Sequence, residues 1–357
     1  MMHMQAETGG ALGVGDIEVH RMRSSDRARW DAFVASCPDA TFFHQSAWHD
    51  LIERVFRHRA HFLFAQRDSE IVGVLPLVQI KSRLFGHAVT SLPFAVYGGC
   101  ASSDPKAIAA LHHAANNLAK QAGAAHLELR NRERREPSWP EQDLYVTFRK
   151  HLEADVEANM NAIPRKQRAM VRKGIKNGLR SEIDKTIDRF FDLYADNVHR
   201  HGTPPMPKRW FAELKAAFGE RCEALIVVDA AGVPVSGVLS FYFRDEVLPY
   251  YAGDTVAARD LAANDFKYWE LMRRACERGL KVFDYGRSKQ GTGSFDFKKN
   301  WGFEPAPLHY EYSLYAGDSI PQNNPLNPKY RLMIETWRRL PRPVVNFLGA
   351  RLSRHLG

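Results

Sequence analysis

The chain says nearly the same thing twice, and that duplication is its strongest constraint. Residues Phe62 to Ile80 read FLFAQRDSEIVGVLPLVQI, and Leu225 to Phe243 read LIVVDAAGVPVSGVLSFYF. Each is an apolar run, a polar turn and a second apolar run holding Gly73-Val74-Leu75 or Gly237-Val238-Leu239. A Leu-Pro strand follows each: LPFAVYGG from Leu92, LPYYAGD from Leu248. Next come a helical stretch ending at Gly123 or Gly279 and a short strand, AAHLELR or LKVFDYG. From Leu92 and Leu248 onward the copies keep one offset, which sets Glu128 opposite Asp284. Two related lobes are therefore expected, with function in the cleft between them.

At 357 residues the chain exceeds what one core usually serves, in line with two domains. Cys37, Cys100, Cys222 and Cys276 form no CxxC pair, which speaks against a structural zinc site or a disulfide framework. His199 and His201 have no Cys or Glu at ligand spacing, so no metal is expected. The start, MMHMQAETGG, lacks a basic region followed by an apolar stretch, and no run is long enough to span a bilayer. A cytoplasmic protein is expected, with peripheral contact at the inner membrane face as an option.

The net charge of +9 sits in two patches. Arg165, Lys166, Arg168, Arg172, Lys173, Lys176 and Arg180 occur without an intervening acid; seven more cations follow Pro328, against Glu335 alone. Together they exceed the charge of the whole chain, so the body is net acidic. Such patches suit phosphate-bearing partners: nucleic acid, a nucleotide sugar or an anionic membrane.

The pattern predicts a disordered leader over 1–15, a first lobe over 16–151, a basic linker helix within 152–182, a second lobe over 183–317 that holds the main site, and a basic amphipathic tail over 318–357. Trp48, Leu51, Ile52, Val55 and Phe56 keep helical spacing, and Asp188 to Arg200 reads as another helix. His201 to Pro207 is a proline-rich loop, Gly286 to Ser294 a flexible turn, and His309 to Tyr315 a strand closing the second lobe. In the tail, Tyr330, Met333, Ile334 and Trp337 share one helix side, which fits a membrane surface, a partner groove or packing on the body.

Strand, loop, helix, strand, glycine turn and last strand is the order of the GNAT acyltransferase fold. The doubled unit, the segment IPRKQRAMVRKGIKNGL before the second copy and DYGRSKQGTGSFDFKKNWG after it resemble the FemAB family. GTPPMP and the series YYAGD, AND and DYGRS are similar to FemAB-like proteins of exosortase and exopolysaccharide systems. The resemblance spans about residues 17–317 and is strongest over 163–313. It implies an α+β fold of tandem GNAT lobes, with mixed, mostly antiparallel sheets flanked by helices. It also implies transfer of an aminoacyl or acyl group to an amine or hydroxyl of a cell-envelope or exopolysaccharide precursor. The donor would be aminoacyl-tRNA, acyl-CoA or acyl-carrier protein as co-substrate, with no tightly bound cofactor.

The GNAT phosphate loop reads Q/R-x-x-G-x-G/A; here the second lobe has Arg259-Asp260-Leu261-Ala262-Ala263-Asn264. Alanines narrow the backbone freedom that glycine gives, which weighs against acetyl-CoA. Phe297-Lys298 matches the Phe-Lys pair of Fem enzymes, so the resemblance assigns charge stabilisation to Lys298, against the alternative of a surface lysine. Asp254, at a strand end where the GNAT sheet splays, is a candidate to orient or deprotonate the acceptor, or else a cap. Asp284 is the second catalytic candidate, to orient the acceptor in place of Asp254; with Arg287 it is otherwise a structural pair or a substrate clamp, and Arg287 suits bidentate recognition of phosphate or carboxylate. Of Tyr250 and Tyr251 only one can face the cleft. Asn264 reads as a helix N-cap or a substrate contact. Ser288, Phe297 and Thr203 complete the expected substrate set, while Arg165, Lys166, Arg168, Arg172 and Lys173 are expected on phosphate or tRNA. The alternatives are an acyl-CoA or acyl-carrier-protein N-acyltransferase, and a non-catalytic envelope-assembly binding module.

Overall fold

The computed structural model describes residues 17–82, 86–320 and 328–355; the expected leader lies outside them. In chain order the elements are β1 (Glu18–Arg21), α1 (Arg27–Ser36), α2 (Ala47–Phe56), β2 (Arg59–Arg67), β3 (Glu70–Ser82), β4 (Gly86–Thr90), α3 (Pro105–Gln121) and β5 (His126–Asn131). There follow β6 (Glu141–Gln142), β7 (Tyr145–His151), α4 (Val156–Ala162), α5 (Arg165–Lys176), β8 (Arg180–Asp184), α6 (Asp188–Arg200) and α7 (Lys208–Phe218). The second copy supplies β9 (Cys222–Val228), β10 (Pro234–Phe243), β11 (Glu246–Asp254), α8 (Ala258–Leu261), α9 (Ala263–Glu277), β12 (Val282–Lys289), α10 (Gly293–Asn300), β13 (Pro305–Pro307) and β14 (His309–Leu314). Helices α11 (Pro328–Arg339) and α12 (Arg342–Leu352) end the chain.

Two mixed sheets result, ordered β1-β2-β3-β4-β5-β14-β6 and β13-β7-β12-β11-β10-β9-β8. Both copies thus build the same antiparallel hairpin and parallel crossover, as the repeat requires. Their last strands, however, trade places. Strand β7 follows the first copy but pairs antiparallel with β12, from Val282↔His151 to Lys289↔Tyr145. Strand β14, expected to close the second lobe, lies beside β5 instead. The compact units follow this exchange: Glu311–Ser319 belongs with the first, and Glu141–Tyr310 lies in the second.

In the first unit, Asp104 caps α3 by accepting from Lys106 N at 2.9 Å, with Pro105 in the first turn. Ala107, Ala110, Leu111, Ala115 and Ala119 then lay a narrow stripe against Leu75, Leu77, Val89, Leu127 and Leu129. In the second unit, Phe148, Val227, Val238, Val247, Phe266, Leu271, Phe283 and Trp301 form the corresponding core. The repeated Gly-Val-Leu glycines have a packing reason. A Cβ on Gly73 would meet Leu111 at 3.0 Å, and one on Gly237 would meet Leu193 at 3.1 Å. At Gly253 the backbone of α6, at Leu193 and Tyr194, presses directly on β11, leaving no room for a side chain.

The structure changes one local expectation. Residues 286–289 continue β12 as strand, so the turn expected from Gly286 to Ser294 shrinks to the few residues before α10. Among the described residues no helix is long and apolar enough to cross a membrane.

Candidate active site

Strands β11 and β12 are hydrogen-bonded at only two rungs, Glu246↔Val282 and Val247↔Phe283, and then part. Both strands bulge at the opening. Tyr250 is the extra residue between Tyr251↔Leu239 and Pro249↔Ser240, and Tyr285 the extra residue between Asp284↔Arg149 and Gly286↔Phe148. Such bulges re-aim side chains and end pairing, so the β11 edge from Leu248 to Asp254 has no strand partner on this side. The first unit has no such opening. There Ser91 N bonds Glu128 O at 2.8 Å, and Gly98 N and Gly99 N both reach Arg130 O, at 3.2 and 2.9 Å. Its seam is closed by its own backbone.

On the β12 side Lys298 is 8 % exposed, and its ammonium donates to Tyr285 O at 2.7 Å and to Gly286 O and Arg287 O, each at 3.1 Å. All three of its protons are engaged. Helix α10, capped by Thr292, places it there. Burial pushes its pKa down to about 7, with Asp284 pulling upward and Arg287 downward; the three carbonyls favour the charged form. Asp284 is 1 % exposed and accepts from Gly286 N at 2.7 Å and faces Arg149 Nε at 3.2 Å. The Asp284–Arg287 pair considered from sequence is therefore replaced by Asp284–Arg149, and Arg149 also bonds Glu246.

Arg287 is exposed, its guanidinium 4.5 Å from the Tyr145 ring centre and 5.8 Å from that of Tyr310. Its Nη1 donates to Tyr310 Oη at 3.4 Å. Among the described residues no carboxylate pairs with it. A cation laid on aromatic faces, with its N–H edge unclaimed by acids, is set for an anionic group of a ligand. Ser288 is buried against Ser294 at 3.1 Å, and Phe297 packs on Tyr268 and Trp301 within the core.

On the β11 side Asp254 Oδ1 accepts from Lys267 Nζ at 2.8 Å and from Ser236 Oγ. Lys267 is fully buried, whereas the Asp254 side chain is 29 % exposed. Arg200 donates to the Asp254 backbone carbonyl. Nearby Asp265 accepts from Trp301 Nε1 at 3.0 Å, and burial raises its pKa. Tyr251 turns toward α6 and α7: its Oη accepts from Trp210 Nε1 at 3.0 Å, and its ring packs on Phe211. Tyr250, packed against Phe241 and electrostatically coupled to Arg287, is the tyrosine on the Arg287 side. Lys267 lay hidden in the sequence, although it follows Ala263 and precedes Leu271 by four residues each, on the buried stripe of α9.

The loop after β11 keeps the glycine geometry without the glycine. Ala262 has φ +60° and ψ 31°, a left-handed conformation costing an alanine about 1 kcal/mol. Ala262, and not Asn264, is the N-cap of α9; Asn264 is its second residue. The basic helix, expected to join the lobes, packs on α9 within the second unit, and Asn177 Nδ2 donates to Leu261 O at 3.2 Å. Arg165, Lys166, Arg172 and Lys173 are exposed, and no carboxylate among the described residues pairs with them. Arg168 is held by Asn161. Glu182 and Asp184, the first acids in sequence after this helix, bind Arg189. Thr203 is exposed in a loop that packs on the tail: Cβ positions at Gly202 and Gly349 would strike Ile334 and Pro205.

A closed first seam, an open second one and a phosphate-loop geometry after β11 define an acyl-transfer fold. Residues 165–299 match the family model described as "Acetyltransferase (GNAT) domain", so the second unit carries a GNAT-type acyltransferase domain. Among solved structures FemX is similar, with 15% identity and a TM-score of 0.64 over 88% of this chain and 100% of that one. The C-terminal domain of a putative lysylphosphatidylglycerol synthetase from Agrobacterium fabrum is 12% identical, TM-score 0.55, over 83% and 93%. A tandem GNAT protein from the clavulanic acid biosynthesis pathway is 13% identical, TM-score 0.51, over 85% and 100%. At these identities the likeness is one of fold. No curated protein sequence matches the chain.

Proposed function

We propose that the chain moves an aminoacyl or acyl group from an activated carbonyl, held in the β11–β12 opening, directly onto an amine or hydroxyl. The acceptor is a precursor of the cell envelope or of an exopolysaccharide. The observation that carries this reading is the acid-free cationic face of α5, packed beside the loop that follows β11. It suits a donor bringing many phosphates. Aminoacyl-tRNA meets that face along its length better than the few phosphates of coenzyme A or the single one of an acyl-carrier protein. The likeness to FemX and to a putative lysylphosphatidylglycerol synthetase supports the same direction.

In this reading the stretch of β11 that has left its strand partner β12 receives the developing oxyanion through backbone N–H groups. Asp254 Oδ2, which makes no hydrogen bond among the described residues, accepts the proton of the attacking group, while Oδ1 is fixed by Lys267 and Ser236. Arg287 holds a phosphate or carboxylate of the acceptor. Lys298, by gripping the carbonyls of residues 285–287, positions Arg287 and the bulge. Asp284, sealed against Arg149, does the same from below.

The test offers labelled aminoacyl-tRNA, acetyl-CoA and acylated carrier protein in parallel to purified protein with envelope extract. Ribonuclease-sensitive transfer from aminoacyl-tRNA supports the proposal. Transfer from a thioester alone would assign the chain to acyl-CoA or carrier-protein chemistry. With the accepted donor, Arg287→Ala is expected to raise the acceptor KM about tenfold, the worth of one charge-assisted contact.

A further inference from the structure

The structure describes six large apolar residues as exposed, and three of them share one face of α12: Val344 at 39 %, Phe347 at 59 % and Leu348 at 37 %. With exposed Arg351 they occupy positions i, i+3, i+4 and i+7, a single helical stripe. The opposite side of the same helix is spoken for. Val345 is fully buried, Gly349 sits against Pro205, and Arg342 reaches the Asp192 backbone carbonyl at 3.3 Å. Helix α12 is therefore docked on the second unit by one face and presents an apolar stripe outward by the other. A docked helix with no need of this stripe would carry polar residues there.

The rim of the stripe is cationic. Arg351 lies over the Phe347 ring at 4.0 Å, and exposed Arg338, Arg339 and Arg342 stand at the other end. Asp196, 3.9 Å from Arg342, is the acid this rim faces on α6; Glu335 is the one acid in the sequence after Pro328. An apolar stripe ringed by arginines is complementary to an interface that is apolar within and anionic at its surface.

We infer that α12 docks the protein onto an anionic lipid surface, with Phe347 and Leu348 entering the acyl boundary and the arginines meeting headgroup phosphates. This does not depend on which donor or acceptor the active site uses.

The experiment is flotation of the full chain with phosphatidylcholine vesicles, with and without phosphatidylglycerol. Binding is expected to the anionic vesicles, to fall as salt rises, and to be weak on the neutral ones. Phe347→Glu should weaken it about tenfold or more, and Arg351→Gln by about fivefold, one cation's share near a charged surface. Because Phe347 is exposed, the variant should keep its melting temperature. No flotation with anionic vesicles, or flotation indifferent to Phe347→Glu, would overturn the inference. So would light scattering showing a lipid-free dimer that Phe347→Glu turns into monomers, since a second copy would then cover the stripe.

Discussion

The Asp254–Lys267 pair can be taken apart to separate structure from chemistry. The two partners differ in access to water: Lys267 is 0 % exposed and Asp254 29 % at the side chain. Asp254→Asn leaves an ammonium sealed in the core beside Asp265, whose carboxyl burial biases toward the neutral form. Removing one partner of such a pair costs about 3–5 kcal/mol. Lys267→Met leaves the carboxylate with Ser236 and some solvent, a smaller loss of about 1–2 kcal/mol. The double variant buries a methionine among apolar neighbours and should return to within about 1 kcal/mol of the parent. The coupling energy is then about 3 kcal/mol or more, large even for neighbours. Urea unfolding at neutral pH, with midpoint and slope recorded for all four proteins, measures it. Additive single losses, or a costlier Lys267→Met, would refute the reasoning. Turnover decides the role. If Asp254 takes the acceptor's proton, the double variant recovers stability but not kcat; if Asp254 only holds α9, both return.

Two further outcomes follow from buried groups elsewhere. Lys298→Met strands three backbone carbonyls, so a loss of about 2–4 kcal/mol in unfolding free energy is expected; the KM for acceptor should rise as Arg287 loses its support, and a changed kcat at constant KM would count against positioning. His61, 5 % exposed, has its pKa pushed down to about 4 by burial first, with Arg21 and Arg59 adding. The unfolded chain binds the proton from about pH 6.5 downward, the folded one only near 4, so stability falls through that window as pH drops. The loss reaches about 3 kcal/mol. Denaturant midpoints of parent and His61→Leu at pH 7 and pH 5 should diverge on acidification, with the parent losing more.

What could be read from the sequence was whatever is local. The repeat places the two hairpins, Asp188 to Arg200 is the helix its apolar spacing predicts, and Arg287 and the basic run of α5 announce themselves by residue type. The exchange of β7 and β14 could not be read, because a strand's alternation is the same whichever sheet it joins. Lysines are hard to place for a related reason: the resemblance singles out Lys298 for charge stabilisation, while nothing singles out Lys267. Lys298 and Lys267 look like surface residues by type, and only three-dimensional placement shows one filled by carbonyls and the other by a carboxylate. Ala262 shows the opposite error: a motif lost in letters persists in dihedral angles.

The traded strands also govern how the protein comes into being. A ribosome that has finished β5 has not yet made the piece that covers its edge, since Glu311–Ser319 belongs to the first unit. Until that segment has emerged, the edge stays open to pairing with any other strand in reach, including one from a neighbouring nascent copy. Completion of the first unit must therefore wait until the second copy has been made, against the usual order of domain maturation. A fragment stopped after His151 would carry a strand meant for the other sheet and lack its own.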